Sequence, residues 1–180
     1  MRRPSALALL STLPALLALA ACGHAPSAPA SAAAPSVATV AYAASEKFTD
    51  VGDSPYASDR VRAAYLEELR KYIERSAARY VRADQRLAIL VTDVDMAGNY
   101  EPWRGRASNV RVVRDVYPPR IDLQFRLTNA DGSVAKEGAR QLRDSAFLTA
   151  AAPSRDGDPL RFEKALVANW MATEFRSAAQ

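Results

Sequence analysis

Residues 121–132, IDLQFRLTNADG, contain the stretch that decides the fold. Apolar residues at positions 121, 123, 125 and 127 alternate with polar residues, a period of two that is typical of a strand with one buried and one solvated face. Asn129 to Gly132 is a predicted turn in which Gly132 supplies a positive φ. Val134 to Leu142 then returns as the partner strand, and Gly138 suggests a bulge. The pattern therefore predicts a β-hairpin.

The residues before this hairpin predict one helix and three further strands. Val37–Ala43 is the first predicted strand, and a helix is predicted from an N-cap at Ser58 to about Tyr80, because its apolar residues recur with a period near 3.6. Leu87–Val94 is a nearly continuous apolar run of strand length, so the strand, helix, strand order favours a right-handed parallel crossover. Val110–Tyr117 is the next predicted strand, and two prolines end it.

The chain closes with a second helix, predicted from Asp158 and Pro159 to about Phe175. The sum is an α+β fold with a single mixed, mostly antiparallel sheet of about five strands. The elements follow the order β-α-β-β-β-β-α, and the two helices pack on one face. Residues 37–180, about 144 in number, are predicted to form a single globular domain, which is enough for one hydrophobic core.

The first 21 residues are predicted to be a lipoprotein signal peptide. Arg2 and Arg3 precede an apolar run from Ala6 to Ala21, which is shorter than the roughly 20 residues that a membrane-spanning helix needs. Leu19 to Cys22, LAAC, resembles the lipobox of bacterial lipoproteins, in which the cysteine is acylated and becomes the new N-terminus. The alternative is ordinary cleavage after small residues, which leaves Cys22 as a free thiol in an exported chain.

Lipidation of Cys22 would set the location of the protein. More than one acyl chain gives stable anchoring, and Gly23 rather than Asp follows the cysteine, which by the usual sorting rule implies the outer membrane, facing the periplasm. Residues 22–36 are rich in Ala, Pro and Ser and are predicted to be a disordered tether. If extended, this tether reaches on the order of 40 Å at about 3.1 Å per residue.

The composition excludes several classes of function. The 24 basic and 20 acidic residues give a net charge of +4, and removal of the signal peptide leaves 22 against 20, so no nucleic-acid partner is expected. One cysteine allows no internal disulfide framework. The single histidine, His24, lies in the tether, so the folded part contains neither a His-based triad nor a His-rich metal site. We predict no catalytic residues.

An Asp-x-Asp sequence at Asp93 and Asp95 begins like a calcium-binding loop. The fifth and twelfth positions of such a loop need an oxygen ligand and a glutamate, but here they hold Ala97 and Arg104. The main interpretation is that these aspartates cap backbone N–H groups, and a looser divalent site that includes Asp50 or Asp53 is the alternative. We therefore predict no metal and no cofactor.

The loop after the second strand is the candidate binding surface. A tryptophan, an arginine and a carboxylate in one loop can bind a sugar or a peptide, and Trp and Arg dominate protein-interface hot spots. Open α/β sheets also place ligands at the carboxyl ends of their strands. In the alternative, Trp103 folds back as a lid on the core and Arg104 pairs with an acid. The candidate ligand or partner surface comprises Asp93, Asp95, Tyr100, Glu101, Trp103 and Arg104.

Seven stretches of the chain resemble a family known as domain of unknown function 3016, which is found in exported bacterial proteins. They cover most of residues 40–175 and are Glu46–Gly52, Tyr65–Arg70, Asp93–Trp103, Asp115–Leu123, Lys136–Gly138, Leu142–Asp144 and Asp158–Lys164. The resemblance implies an exported single domain of unassigned activity and supplies no catalytic residues.

Three functions are compatible with these features. The first is a non-enzymatic outer-membrane lipoprotein of the periplasm, whose domain binds an envelope protein or a glycan through the Trp103 loop. The second is a carboxylate-dependent envelope hydrolase that uses Asp93, Asp95 and Glu101. The third is a stress-linked or assembly accessory protein.

Overall fold

The computed structural model describes residues 36–149 and 157–176, and in these the alternating segment forms one of the two inner strands of a mixed sheet. The predicted signal peptide, Cys22 and nearly all of the tether lie outside the described residues. The strands of the main sheet are β1 (Ala38–Tyr42), β2 (Arg86–Asp95), β5 (Arg120–Thr128) and β6 (Val134–Arg143). Two short strands, β3 (Asn99–Tyr100) and β4 (Arg111–Val112), form a second sheet.

The main sheet has the order β1-β2-β5-β6. β1 pairs with β2 in parallel, as the strand, helix, strand order predicts, and Ala38 lies opposite Leu87. The other two pairings, β2 with β5 and β5 with β6, are antiparallel. The α+β class, the mixed sheet and the two helices are therefore confirmed.

The predicted fifth strand, Val110–Tyr117, does not join the main sheet. Only Arg111 and Val112 of this segment adopt strand conformation. They pair with β3, where Val112 lies opposite Asn99 and Arg111 lies opposite Tyr100. After β4 the chain turns, and the backbone N–H of Tyr117 donates to the carbonyl of Arg114 at 3.0 Å. β2 is already paired on both sides, by β1 and β5, so this segment finds its partner in β3 instead.

Helix α1 (Asp59–Ala77) begins as predicted and ends three residues earlier than expected. Its N-cap is Ser58, whose hydroxyl accepts a hydrogen bond from the backbone N–H of Val61 at 3.4 Å. Helix α2 (Arg161–Phe175) begins three residues after the predicted N-cap, Asp158. The Asp158 carboxylate accepts instead from the N–H of Leu160 at 2.9 Å, so it stabilises the turn that leads into the helix. Neither described helix combines the length and the hydropathy needed to cross a bilayer.

The hydrophobic core lies between the helices and one face of the sheet. Leu69 and Ile73 of α1 and Val167 and Met171 of α2 are fully buried there. Full burial of a side chain of this size stabilises the fold by roughly 1.5–3 kcal/mol. Three aromatic rings, Phe125, Trp170 and Phe175, meet edge to face with centroids 5.5–5.7 Å apart and join α2 to β5. The opposite face of the sheet is open and forms a shallow groove of about 600 Å³.

The predicted bulge at Gly138 is wrong. Gly138 pairs in register with Phe125, and the register shifts instead between Leu127 and Thr128. A Cβ at position 138 would lie 2.7 Å from Nη1 of Arg140. Glycine therefore makes room for the Arg140 guanidinium, which sits 5.2 Å above the Phe125 ring.

Candidate functional site

Trp103 is presented to solvent by the loop that joins β3 to β4. The loop contains a short 3-10 segment, Pro102–Ala107, which opens with a proline in its first turn. The Trp103 side chain is 73% exposed, so the alternative in which it covers the core does not apply. The same alternative also predicted that Arg104 pairs with an acid, and this pairing is present.

Glu101 is that acid, and it is fully buried at the base of the loop. Its Oε2 lies 2.9 Å from Nε of Arg104 and accepts a hydrogen bond from Nη2 of Arg114 at 3.3 Å. Its Oε1 has no hydrogen-bond partner among the described residues. An unpaired buried carboxylate is strongly destabilising, so the two guanidinium groups are needed to hold this one. Glu101 therefore fixes the loop from both sides and is itself inaccessible to a partner.

Tyr100 and Arg111 tie the β3–β4 hairpin to the loop that follows β1. Arg111 donates two hydrogen bonds to the Asp50 carboxylate, each 2.8 Å long, and a further one to the carbonyl of Gly52 at 3.0 Å. Its guanidinium also lies 4.6 Å from the centroid of the Tyr100 ring. Paired charges and a stacked ring of this kind hold the hairpin in one position.

Asp93 is used in structural contacts. The backbone N–H and the hydroxyl of Thr49 each donate to its carboxylate at 2.7 Å, and Nη2 of Arg120 lies 2.9 Å away. Burial acts to raise the pKa of Asp93, but the hydrogen bonds from Thr49 and Arg120 outweigh it and lower that pKa. Asp93 thus caps a backbone N–H group, as predicted for the strand-end aspartates, whereas the same prediction for Asp95 is wrong.

Asp95 differs from its neighbours because its carboxylate has no hydrogen bond or ion pair among the described residues. It is half-buried and lines a cavity of about 390 Å³ together with Thr49, Asn99 and Tyr100. Burial raises the pKa of Asp95, and the nearby charge of Arg120 offsets this rise only in part. A partly desolvated carboxyl group beside a cavity is suited to binding a polar ligand or to proton transfer.

The predicted site residues therefore fall into two groups. Glu101, Trp103 and Arg104 form the loop at the end of the hairpin, whereas Asp95 and Tyr100 line the polar cavity. Asp93 does not line the cavity but accepts hydrogen bonds from Thr49, which does. Three arginines that complete these groups were not predicted, namely Arg111, Arg114 and Arg120. Within residues 36–149 and 157–176, no three or more His, Cys, Asp or Glu side chains are arranged to hold a metal ion.

Comparison with known proteins identifies a family. A family model described as a protein of unknown function, DUF3016, matches residues 36–173. No curated protein and no solved structure matches the chain significantly. The match covers both groups of site residues and the whole of the main sheet.

Proposed function

The chain belongs to the DUF3016 family of proteins of unknown function, and from its apolar N-terminal run and Cys22 we propose that it is an outer-membrane lipoprotein facing the periplasm. Its folded domain is a non-catalytic binding or accessory module that contacts another component of the cell envelope, a protein or a glycan. The observation that carries this proposal is the exposed Trp103 on a loop fixed by a buried carboxylate.

Trp103 has the properties of a contact residue. A side chain of this size loses favourable burial energy when it faces water, and Trp and Arg are the residues most enriched at interface hot spots. Glu101 and its two arginines already hold the loop in one arrangement, so binding costs little further conformational entropy. The loop therefore combines an exposed aromatic ring with a fixed backbone.

Crosslinking in intact cells tests the binding role. A tagged full-length protein is crosslinked and purified beside Trp103→Ala and beside Tyr56→Ala, which removes an aromatic side chain that is 84% exposed in a different loop. We expect a recurrent partner that is retained in Tyr56→Ala and lost in Trp103→Ala. Equal recovery from all three proteins would place the contact elsewhere and contradict the proposal.

The lipid anchor is proposed at Cys22, directly after the apolar N-terminal run. Several acyl chains on one residue make release from a membrane negligible. We expect the wild-type protein to fractionate with membranes and to incorporate a labelled fatty acid, whereas Cys22→Ala does neither. Ser27→Ala in the tether is the matched control and behaves as wild type. Equal fractionation of wild type and Cys22→Ala would refute the anchor.

Asp95 supports a second candidate, a carboxylate-dependent envelope hydrolase. Of the three predicted acids, Glu101 is buried and ion-paired and Asp93 is engaged by Thr49 and Arg120. Asp95 is the one of the three that lines a cavity and has no partner among the described residues. The test is hydrolysis of cell-wall and glycan substrates, with and without a chelator. Activity that is lost in Asp95→Asn and kept in Asp115→Asn, with both variants folded, would favour this function over a pure binding module.

A further inference from the structure

Two guanidinium groups converge beside Trp103. The nitrogens of Arg104 and Arg114 that face Glu101 lie 2.9 and 3.3 Å from the same oxygen, Oε2. These two nitrogens are therefore at most the sum of those distances apart, about 6 Å. The convergence is built into the fold, because the carboxylate that causes it is fully buried.

The pair offers hydrogen-bond donors beyond those that contact Glu101. A guanidinium carries five N–H donors, and the contacts with Glu101 are made by Nε of Arg104 and Nη2 of Arg114. The side chains of Arg104 and Arg114 are 44% and 47% exposed. Neighbouring guanidinium groups with free N–H donors match the several oxygens of a phosphate, sulfate or carboxylate group.

The charge around the pair also favours an anion. Residues 101–116 contain four arginines and two acids. Arg111 is paired with Asp50, so Arg104, Arg106 and Arg114 stand against the buried Glu101 and the exposed Asp115, an excess of one positive charge. A surface of this sign repels a second copy of itself and attracts an anionic partner.

Trp103 adds a flat apolar face directly before Arg104 in the chain. The electron-rich face of an indole attracts the slightly positive C–H groups on the face of a sugar ring. Val110 is the other large exposed apolar side chain of residues 101–110, so the loop lacks the roughly 800 Å² of contact surface per partner that a stable protein interface requires. A site with one exposed aromatic ring and two guanidinium groups therefore suits a saccharide that carries an anionic group better than it suits an acidic protein.

We propose that Trp103, Arg104 and Arg114 form a binding site for an anionic saccharide, one that carries phosphate, sulfate or carboxylate groups. The proposal rests on the proposed function above, in which the same loop is the contact surface, and it names the chemistry of the partner. The sugar ring stacks on Trp103 while its anionic group accepts hydrogen bonds from the two arginines.

Tryptophan fluorescence locates the binding event. The full chain in a nonionic detergent is titrated with dextran sulfate, with dextran, which has the same backbone and no charge, and with polyglutamate, which has charge and no sugar ring. The chain has two tryptophans, and Trp170 is buried, so a change in emission reports on Trp103. We expect a change with dextran sulfate only. No response to dextran sulfate, or an equal response to polyglutamate, would overturn the proposal.

Calorimetry then measures affinity in the variants without depending on tryptophan emission. We expect Trp103→Ala and Arg114→Gln each to weaken dextran sulfate binding about tenfold, the equivalent of one charge-assisted hydrogen bond or stacking contact. The control is Arg79→Gln, at an exposed arginine in the turn that follows α1, and we expect it to leave the affinity for dextran sulfate unchanged. Thermal melting confirms that each variant is folded.

Unchanged affinity in Trp103→Ala would refute stacking and with it the site. If dextran sulfate fails to bind but crosslinking still captures an envelope protein through Trp103, the saccharide proposal fails and the proposed function stands. If both experiments fail, the loop is not a contact surface.

Discussion

Oε2 of Glu101 lies 2.9 Å from Nε of Arg104, although the carboxylate is fully buried and nearly half of the Arg104 side chain faces solvent. The pair therefore links the interior of the domain to the exposed loop that carries Trp103. Trp103 lies between these two residues in the chain, so the ion pair restrains the backbone on both sides of it.

Replacing Glu101 tests whether this link holds the loop. Glu101→Gln removes the charge that Arg104 and Arg114 share, and we expect the free energy of unfolding to fall by about 1–3 kcal/mol. The control is Glu137→Gln, which breaks an ion pair with Arg126 in which both side chains are more than half exposed. Urea denaturation should show a change below about 0.5 kcal/mol for the control. Equal effects of the two substitutions would show that Glu101 has no special structural role.

The hairpin of β5 and β6 was predictable because its signal is local. Alternating burial at Ile121, Leu123, Phe125 and Leu127 follows directly from the alternating sequence. The first parallel pair was predictable for a similar reason, since a strand, a helix and a second strand at this spacing usually form a crossover.

The β3–β4 hairpin was not predictable because strands of two residues have no periodicity to detect. What fixes the hairpin is the ion pair of Arg111 with Asp50, two residues 61 positions apart in the chain. The separation of the two candidate groups was likewise not predictable, because nothing in the sequence shows that Asp95 and Tyr100 line a cavity while Trp103 faces solvent. The complete burial of Glu163 on α2 was not predictable either, since a glutamate on a helix is normally exposed.

The aromatic contact between α2 and the sheet should dominate the stability of the C-terminal helix. Phe175 is buried and meets both Phe125 and Trp170 edge to face. We expect Phe175→Ala to lower the free energy of unfolding by about 3–5 kcal/mol, and to reduce the near-UV circular dichroism of Trp170. Val134→Ala, at a side chain that is about half exposed, should stay within about 0.5 kcal/mol of wild type. A small effect of Phe175→Ala would mean that α2 packs without this cluster.

Glu174 should make stability depend on pH in the acid range. Burial acts to raise the pKa of Glu174, but Arg140 and Lys136 outweigh it and lower the pKa to about 2. A depressed pKa in the folded state gives stability that is present above the ordinary value near 4.5 and is lost as the pH falls through the folded value.

The substitution Glu174→Gln checks this dependence. At pH 7 we expect it to destabilise the protein by about 1 kcal/mol, because solvent screens the partly exposed Lys136 and Arg140. The difference from wild type should shrink as the pH is lowered from about 5 towards 2. Glu46→Gln, at an exposed residue, is the control and should show no such convergence. A difference that stays constant with pH would contradict the assignment.

Glu163 should act in the opposite sense. It is fully buried on α2, where Oε1 accepts a hydrogen bond from the N–H of Ala97 at 2.8 Å and Oε2 has no partner among the described residues. Burial raises the pKa of Glu163, and the hydrogen bond from Ala97 offsets this rise only in part. A raised pKa in the folded state gives stability that is present below the ordinary value near 4.5 and is lost as the pH rises through the folded value.

A neutral isostere separates this effect from the shape of the side chain. Glu163→Gln keeps a carbonyl oxygen for the Ala97 N–H and carries no charge at any pH. We expect the variant to match wild type in stability at pH 4 and to be more stable by on the order of 1 kcal/mol at pH 8. At pH 8 the wild-type protein must either bury an ionised carboxylate or keep Glu163 protonated well above its ordinary pKa, and either state costs free energy that the glutamine variant does not lose. Urea denaturation at the two pH values measures the difference. A variant that is less stable than wild type at pH 8 would mean that the ionised carboxylate has a binding partner in the folded protein, and Glu163 would then belong with Glu101 among the buried anchors.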